Sequence, residues 1–242
     1  MSYELPKYLS QFDLQNAPRK YKWDSDIAED LYEVENEKLN AAINKTHFKG
    51  TLALSIAAAE WIVARFKNVT DIHDELLTLE AVWAASIDAR YAHGFSRLNK
   101  EFDPKIGPFS LGNDLLIDTY ESYTSLSARI GDRVIPLITV AKHVAPIKKQ
   151  FEGWLSMMLA RLAEYFPMDL SHYDRTTKTY DASYEKPVPR ELFDPSATVT
   201  GKNSAGLVEQ FICTLDPKQN HYLADAETMK RKGFIGEPYP GS

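Results

Sequence analysis

Apolar residues recur at helical spacing through most of the first two thirds of this chain. Asp24 and Ser25 are residue types that cap helices, and Ile27, Leu31, Val34 and Ala41 or Ala42 follow at helical steps. They predict a first helix running to about Lys45, with Gly50 as a stop and restart. Residues 51–67 combine Ala, Leu and Ile with Trp61, interrupted only by Glu60 and Arg65 before the closing Lys67. A helix apolar on all sides belongs in the middle of a bundle. Thr70 or Asp71 caps a third helix to about Tyr91, whose apolar row is Ile72, Leu76, Leu79, Trp83, Ile87 and Tyr91.

Residues 103–112 hold Pro104, Gly107, Pro108 and Gly112 and read as a loop. A fourth helix is expected from Asn113 or Asp114 to about Ile130, and helical spacing resumes over 133–166. Pro136 suits a first turn, whereas Pro146 should split the segment. Trp154, Leu155, Met158, Leu159 and Leu162 form the last strong apolar face. After Pro167 the texture becomes polar and rich in Tyr, Thr and Pro. Tyr173, Tyr180, Tyr184, Pro187 and Pro189 suggest an ordered extended arm, with room for a hairpin over 176–199. Short helices are expected over 205–215 and 224–232, the latter ended by Gly233.

The predicted fold is therefore all-α. It is one domain over residues 1–242, with an irregular lead-in over 1–23, a helical bundle over 24–166 and an extended and short-helical C-terminal extension over 167–242.

Composition narrows the function. The formal net charge is −6, the reverse of the basic balance of a nonspecific nucleic-acid binder. The start of the chain does not read as a signal peptide, and no apolar run is long enough for a bilayer span, so a cytoplasmic protein without a membrane partner is expected. The single cysteine, Cys213, rules out an internal disulfide and a Cys-rich zinc site.

The phosphate loop, the dinucleotide turn, the nucleophile elbow, the zinc helix and the Glu-x-x-His pair of di-iron bundles have no counterpart in the sequence. The best enzyme-like set is His73, Asp74 and Glu75 with Glu80, Asp88 and His143, which offers imidazole and carboxylate for a divalent metal or proton exchange. The acids of that set equally suit the positive end of a helix. Ser204, His172 and Asp174 have the residue types of a triad without sequence evidence of its geometry. No catalytic residue, cofactor or metal ligand is assigned.

The acidic first helix is more informative. Seven acidic residues and no Lys or Arg lie between Asp24 and Glu37. Asp26, Asp30, Glu33 and Glu37 share one face at helical spacing, about a quarter turn from the Ile27, Leu31, Val34 stripe. Like charges at that spacing cost helix stability, so the ridge reads either as a solvated face or as a docking site for a basic partner.

The stretch Leu215-Asp216-Pro217-Lys218-Gln219-Asn220-His221-Tyr222-Leu223 is followed by Ala226-Glu227-Thr228-Met229. Lys232-Gly233-Phe234-Ile235-Gly236-Glu237-Pro238-Tyr239 comes after it. Together they resemble the ending of helical immunity proteins encoded beside bacterial polymorphic toxins, including Rhs and type VI secretion effectors. The resemblance covers about a tenth of the chain. It implies a stoichiometric inhibitor that occludes the active site of a cognate toxin and needs no catalytic residue or cofactor; it transfers no binding residues. A helical-bundle metal-dependent enzyme using His73, Glu80 and His143, and a structural adaptor, are the alternative readings.

Overall fold

The computed structural model describes residues 3–125, 130–174, 176, 179–180 and 182–241. The fold is an all-α bundle, as the periodicity predicts. Its helices are α1 (Ser25–Tyr32), α2 (Glu37–Ile43), α3 (Phe48–Phe66), α4 (His73–Ile87), α5 (Gly107–Thr124), α6 (Ile130–Val144), α7 (Lys148–Tyr165), α8 (Ser204–Ile212) and α9 (Ala226–Arg231). A two-residue antiparallel pair, β1 (Tyr173–Asp174) with β2 (Thr179–Tyr180), begins upstream of the expected hairpin.

Helix α3 is the axis of the bundle and packs on α4, α5 and α6. Every residue from Lys49 to Phe66 is buried, as its all-round apolar sequence requires. Trp61 stands at the centre, with ring centroids 4.4 Å from Phe12, 5.0 Å from Phe151 and 5.3 Å from Trp154. Helices α3 and α5 approach closely at Gly112, where an added Cβ would lie 2.6 Å from Ile62 Cδ1. Helices α1, α2 and α7 pack on α6.

Three expectations are corrected. The first helix is two helices: α1 stops at Tyr32, and Asn36 starts α2 by accepting the Leu39 N–H at 3.0 Å on its Oδ1. The fourth helix starts at Gly107 rather than Asn113, with Pro108 in its first turn, where the missing N–H is harmless. Pro136 lies inside α6 rather than in its first turn. Pro146 does separate α6 from α7.

Helix α4 is also less one-sided than its apolar row suggests. The Leu79 and Trp83 side joins the main core. The opposite side, Leu77, Ala81, Ala84 and Ala85, packs in a second core with Tyr91, Leu215, Tyr222, Leu223, Met229 and Tyr239. The C-terminal extension therefore clamps α4 from outside. Asn220, fully buried, donates from Nδ2 to the Leu77 carbonyl at 2.9 Å and to Glu80 Oε2 at 2.8 Å. The Ala224 N–H donates to the Tyr91 carbonyl at 2.7 Å, and the Tyr91 hydroxyl donates to the Pro238 carbonyl at 2.7 Å. Gly233, at φ +82°, follows α9 as the predicted stop.

The arm over 182–195 is pinned to the start of α3. The Glu185 carboxylate accepts the Phe48 and Lys49 N–H groups, both at 2.8 Å, which satisfies two otherwise orphaned donors of that helix. Val188, Leu192 and Phe193 are buried, and Arg161 donates to the carbonyls of Leu192, Asp194 and Pro195. Tyr184, one of the aromatic residues of this arm, is 64 % exposed and stacks on His172. The side chains of Tyr173 and Tyr180 lie outside the described ones.

Candidate functional site

The sequence-based enzyme sets do not converge. His73 is exposed at the start of α4. Glu80 is buried and held by Asn220. His143, on α6, has Nε2 2.8 Å from the Lys22 carbonyl and packs edge-on against Tyr21 and Trp23. Asp88 pairs with Arg90, which holds its carboxyl below the usual range against the opposing effect of burial. His172 turns toward Asp169 at 3.6 Å and Tyr184 rather than toward Ser204, which is buried at the start of α8. No group of three His, Cys, Asp or Glu is arranged to hold a metal ion among the described residues.

Two acids named in the sequence analysis, Glu60 and Glu75, are buried, which the sequence reading did not foresee. Glu60, with no exposed surface, receives the Tyr3 hydroxyl at 2.5 Å, Trp83 Nε1 at 3.0 Å and Arg190 Nε at 3.1 Å on its Oε1. The Arg190 guanidinium also lies 4.2 Å from the centre of the Tyr3 ring. Burial pushes the Glu60 carboxyl up, and Arg190 opposes that. This cluster joins the N-terminal segment, α3, α4 and the arm, and we read it as a structural tie. Its signal was present in the sequence: a charge inside an otherwise apolar helix must be paired. Glu75, in the first turn of α4, is 5 % exposed and lines a small cavity with Ala59 and Ile62 of α3 and Phe109, Gly112 and Leu116 of α5. Burial raises its carboxyl to about 7, aided by Asp74 and Asp71 and opposed by its own backbone N–H.

The surface around α1 and α2 carries a different chemistry. Asp24 caps α1 by accepting the Ile27 N–H at 3.0 Å, and α1 packs Ala28 inward while Asp26, Asp30, Glu33 and Glu37 all remain exposed. They do not form the single helical ridge expected, because the chain breaks between Glu33, which ends α1, and Glu37, which opens α2. The break replaces the ridge with two grooves that share Tyr32 and Glu33 as their common wall.

The first groove, of about 360 Å³, runs between α1 and the segment leading into α5. Ala28, Leu111 and the half-exposed rings of Tyr32 and Phe102 give it an apolar surface. Glu29, Glu33, Glu101 and Asp118 add carboxylates. Asp114, also in its wall, accepts the Leu98 and Asn99 N–H groups and so shapes the segment opposite α1. The second groove, of about 380 Å³, is lined by Glu33, Glu35, Glu37 and Asp132 with Val34, Ile135 and Pro136. Pro136 offers no N–H to the Asp132 carbonyl one turn earlier, which adds a partial negative charge on that side. Asp26 and Asp30 line neither groove and lie on the outer face of α1.

This arrangement suits a cationic surface. Clustered carboxylates make the local potential more negative and steer an oppositely charged partner, while exposed aromatics supply contact area. Residues of the C-terminal resemblance take another role: Asn220, Tyr222, Leu223, Met229 and Tyr239 are buried in the second core. No helix among the described residues is long and apolar enough to cross a membrane. Comparison with protein-family models, with curated proteins and with solved structures finds no match.

Proposed function

We propose that this protein binds a basic protein partner and neutralises it, in the manner of an immunity protein that occludes the active site of a cognate bacterial toxin. The observation that carries the reading is the acidic, aromatic-bearing surface formed where α1 gives way to α2, with Glu33 lining both grooves. The C-terminal resemblance supplies the class of partner, and the acidic surface supplies its charge. Neutralisation of this kind asks for tight, steered association rather than bond-making chemistry.

The test is capture and protection. The tagged protein is used to retrieve partners from source cells at moderate and high salt, and the retrieved protein is expressed alone and together with this chain. A stoichiometric partner that is lethal alone and harmless in combination supports the proposal. A partner whose toxicity is unchanged by co-expression refutes it. Reversing Asp26, Asp30 and Glu33 to Lys should slow association at low salt by about tenfold or more while the fold persists. Unchanged association kinetics would remove this surface from the interaction.

A further inference from the structure

The first groove already holds one cation of a definite kind. Arg97, from the segment opposite α1, sends Nη1 to Asp118 Oδ1 at 2.6 Å and Nη2 to Glu121 Oε2 at 2.9 Å. A guanidinium is therefore accommodated at this edge by carboxylates on α5, where its planar fork matches paired acceptors. Other acids of the same groove, Glu29, Glu33 and Glu101, enter no ion pair with a cationic side chain among the described residues. Tyr32 is 44 % exposed and Phe102 is 52 % exposed, and both rings line this groove.

Resting on the neutraliser reading above, we propose that this groove seats an arginine-bearing apolar segment of the partner. The segment's aliphatic side chains lie on Ala28, Leu111 and the two rings, and its guanidinium groups meet Glu29, Glu33 and Glu101. Charge complementarity selects a basic occupant. The mixed apolar and acidic lining selects one that alternates apolar and basic residues over a purely cationic stretch. Arginine is favoured over lysine because its delocalised, weakly hydrated cation stacks on aromatic faces as well as pairing with carboxylates. Arg97 acts as an internal stand-in at the groove's edge, competing for Asp118.

Fluorescein-labelled peptides test this without the natural partner. One alternates Leu and Arg, a second Leu and Lys, and a third Gly and Arg, all of equal length, with binding followed by anisotropy at low salt. The Leu/Arg peptide should bind about tenfold tighter than the Gly/Arg peptide and measurably tighter than the Leu/Lys peptide. The double variant Tyr32→Ala, Phe102→Ala should weaken it by about tenfold. Glu164→Lys, which alters an exposed charge on α7, should leave it within about twofold. Equal binding of the Leu/Arg and Gly/Arg peptides, or undiminished binding by the aromatic double variant, overturns the assignment. The two proposals fail separately. If the captured partner is neutralised as well by the Tyr32→Ala, Phe102→Ala protein as by the unaltered one, the groove assignment falls and neutralisation stands. If no toxic partner exists while the peptide results hold, neutralisation falls and the groove stands as an arginine-segment site.

Discussion

Replacing Glu75 by Gln isolates a core ionisation. The carboxyl has an ordinary value of 4.5, and burial between α3 and α5 raises it to about 7. A carboxyl that binds its proton more tightly in the folded chain than in the unfolded one leaves stability intact below about pH 4.5. That stability is lost as pH rises through the interval to about 7, because the anion is then forced into the apolar site. At 1.36 kcal/mol per pH unit the whole interval would amount to about 3.4 kcal/mol. Relaxation of the surroundings and water penetration reduce such a penalty in folded proteins, and about 2 kcal/mol is the working figure. Glutamine has nearly the shape of the protonated acid. Glu75→Gln should therefore match the unaltered protein near pH 4 and exceed it by about 2 kcal/mol near pH 8. The assay is urea unfolding of both proteins across that range, read as the difference between them. The difference is essential because His47 acts in the other direction: burial lowers its imidazole to about 4, so its contribution is present above about pH 6.5 and is lost as pH falls. A difference that stays flat with pH, or a variant less stable near pH 8, would refute the account of Glu75.

Two further substitutions probe the Glu60 tie. Trp83→Ala should cost about 3–5 kcal/mol in chemical unfolding, from the lost indole and the lost donor to Glu60; a cost below about 1 kcal/mol would show the core face to be misplaced. Arg190→Met should cost about 3–5 kcal/mol at neutral pH by stranding a buried carboxylate, and the cost should shrink in acid, where a protonated Glu60 needs no cation; equal cost at both pH values would contradict that origin.

The helical class and the central position of α3 were legible because an uninterrupted apolar surface leaves no other place for a helix. The break at Glu33–Asn36 was harder to see, since neither Gly nor Pro marks it and the capping is done by Asn36, a residue that also tolerates a helix interior. Gly107 and Pro108 read as loop punctuation, yet the same pair suits the first turn of α5. The apolar row of α4 was real, but the alanines on its other face carry too weak a hydrophobic signal to announce a second core. The four acids chosen from the sequence are all exposed, as a docking surface requires, whereas the two grooves, which take in Glu33 and Glu37 but not Asp26 or Asp30, depend on the break and on residues from 97–118 and α6 that no local spacing connects to them.

The clamp on α4 has a consequence for how the protein is made. Translation delivers α4 early and residues 215–239 late, so the strip of Leu77, Ala81, Ala84 and Ala85 waits uncovered while most of the chain is still being assembled. A product cut short before Tyr222 would display that strip permanently, together with the Tyr91 backbone groups that the extension otherwise occupies. Proteases and chaperones recognise such surfaces, so the cell would be rid of incomplete copies that still carried the acidic grooves but lacked a finished scaffold behind them.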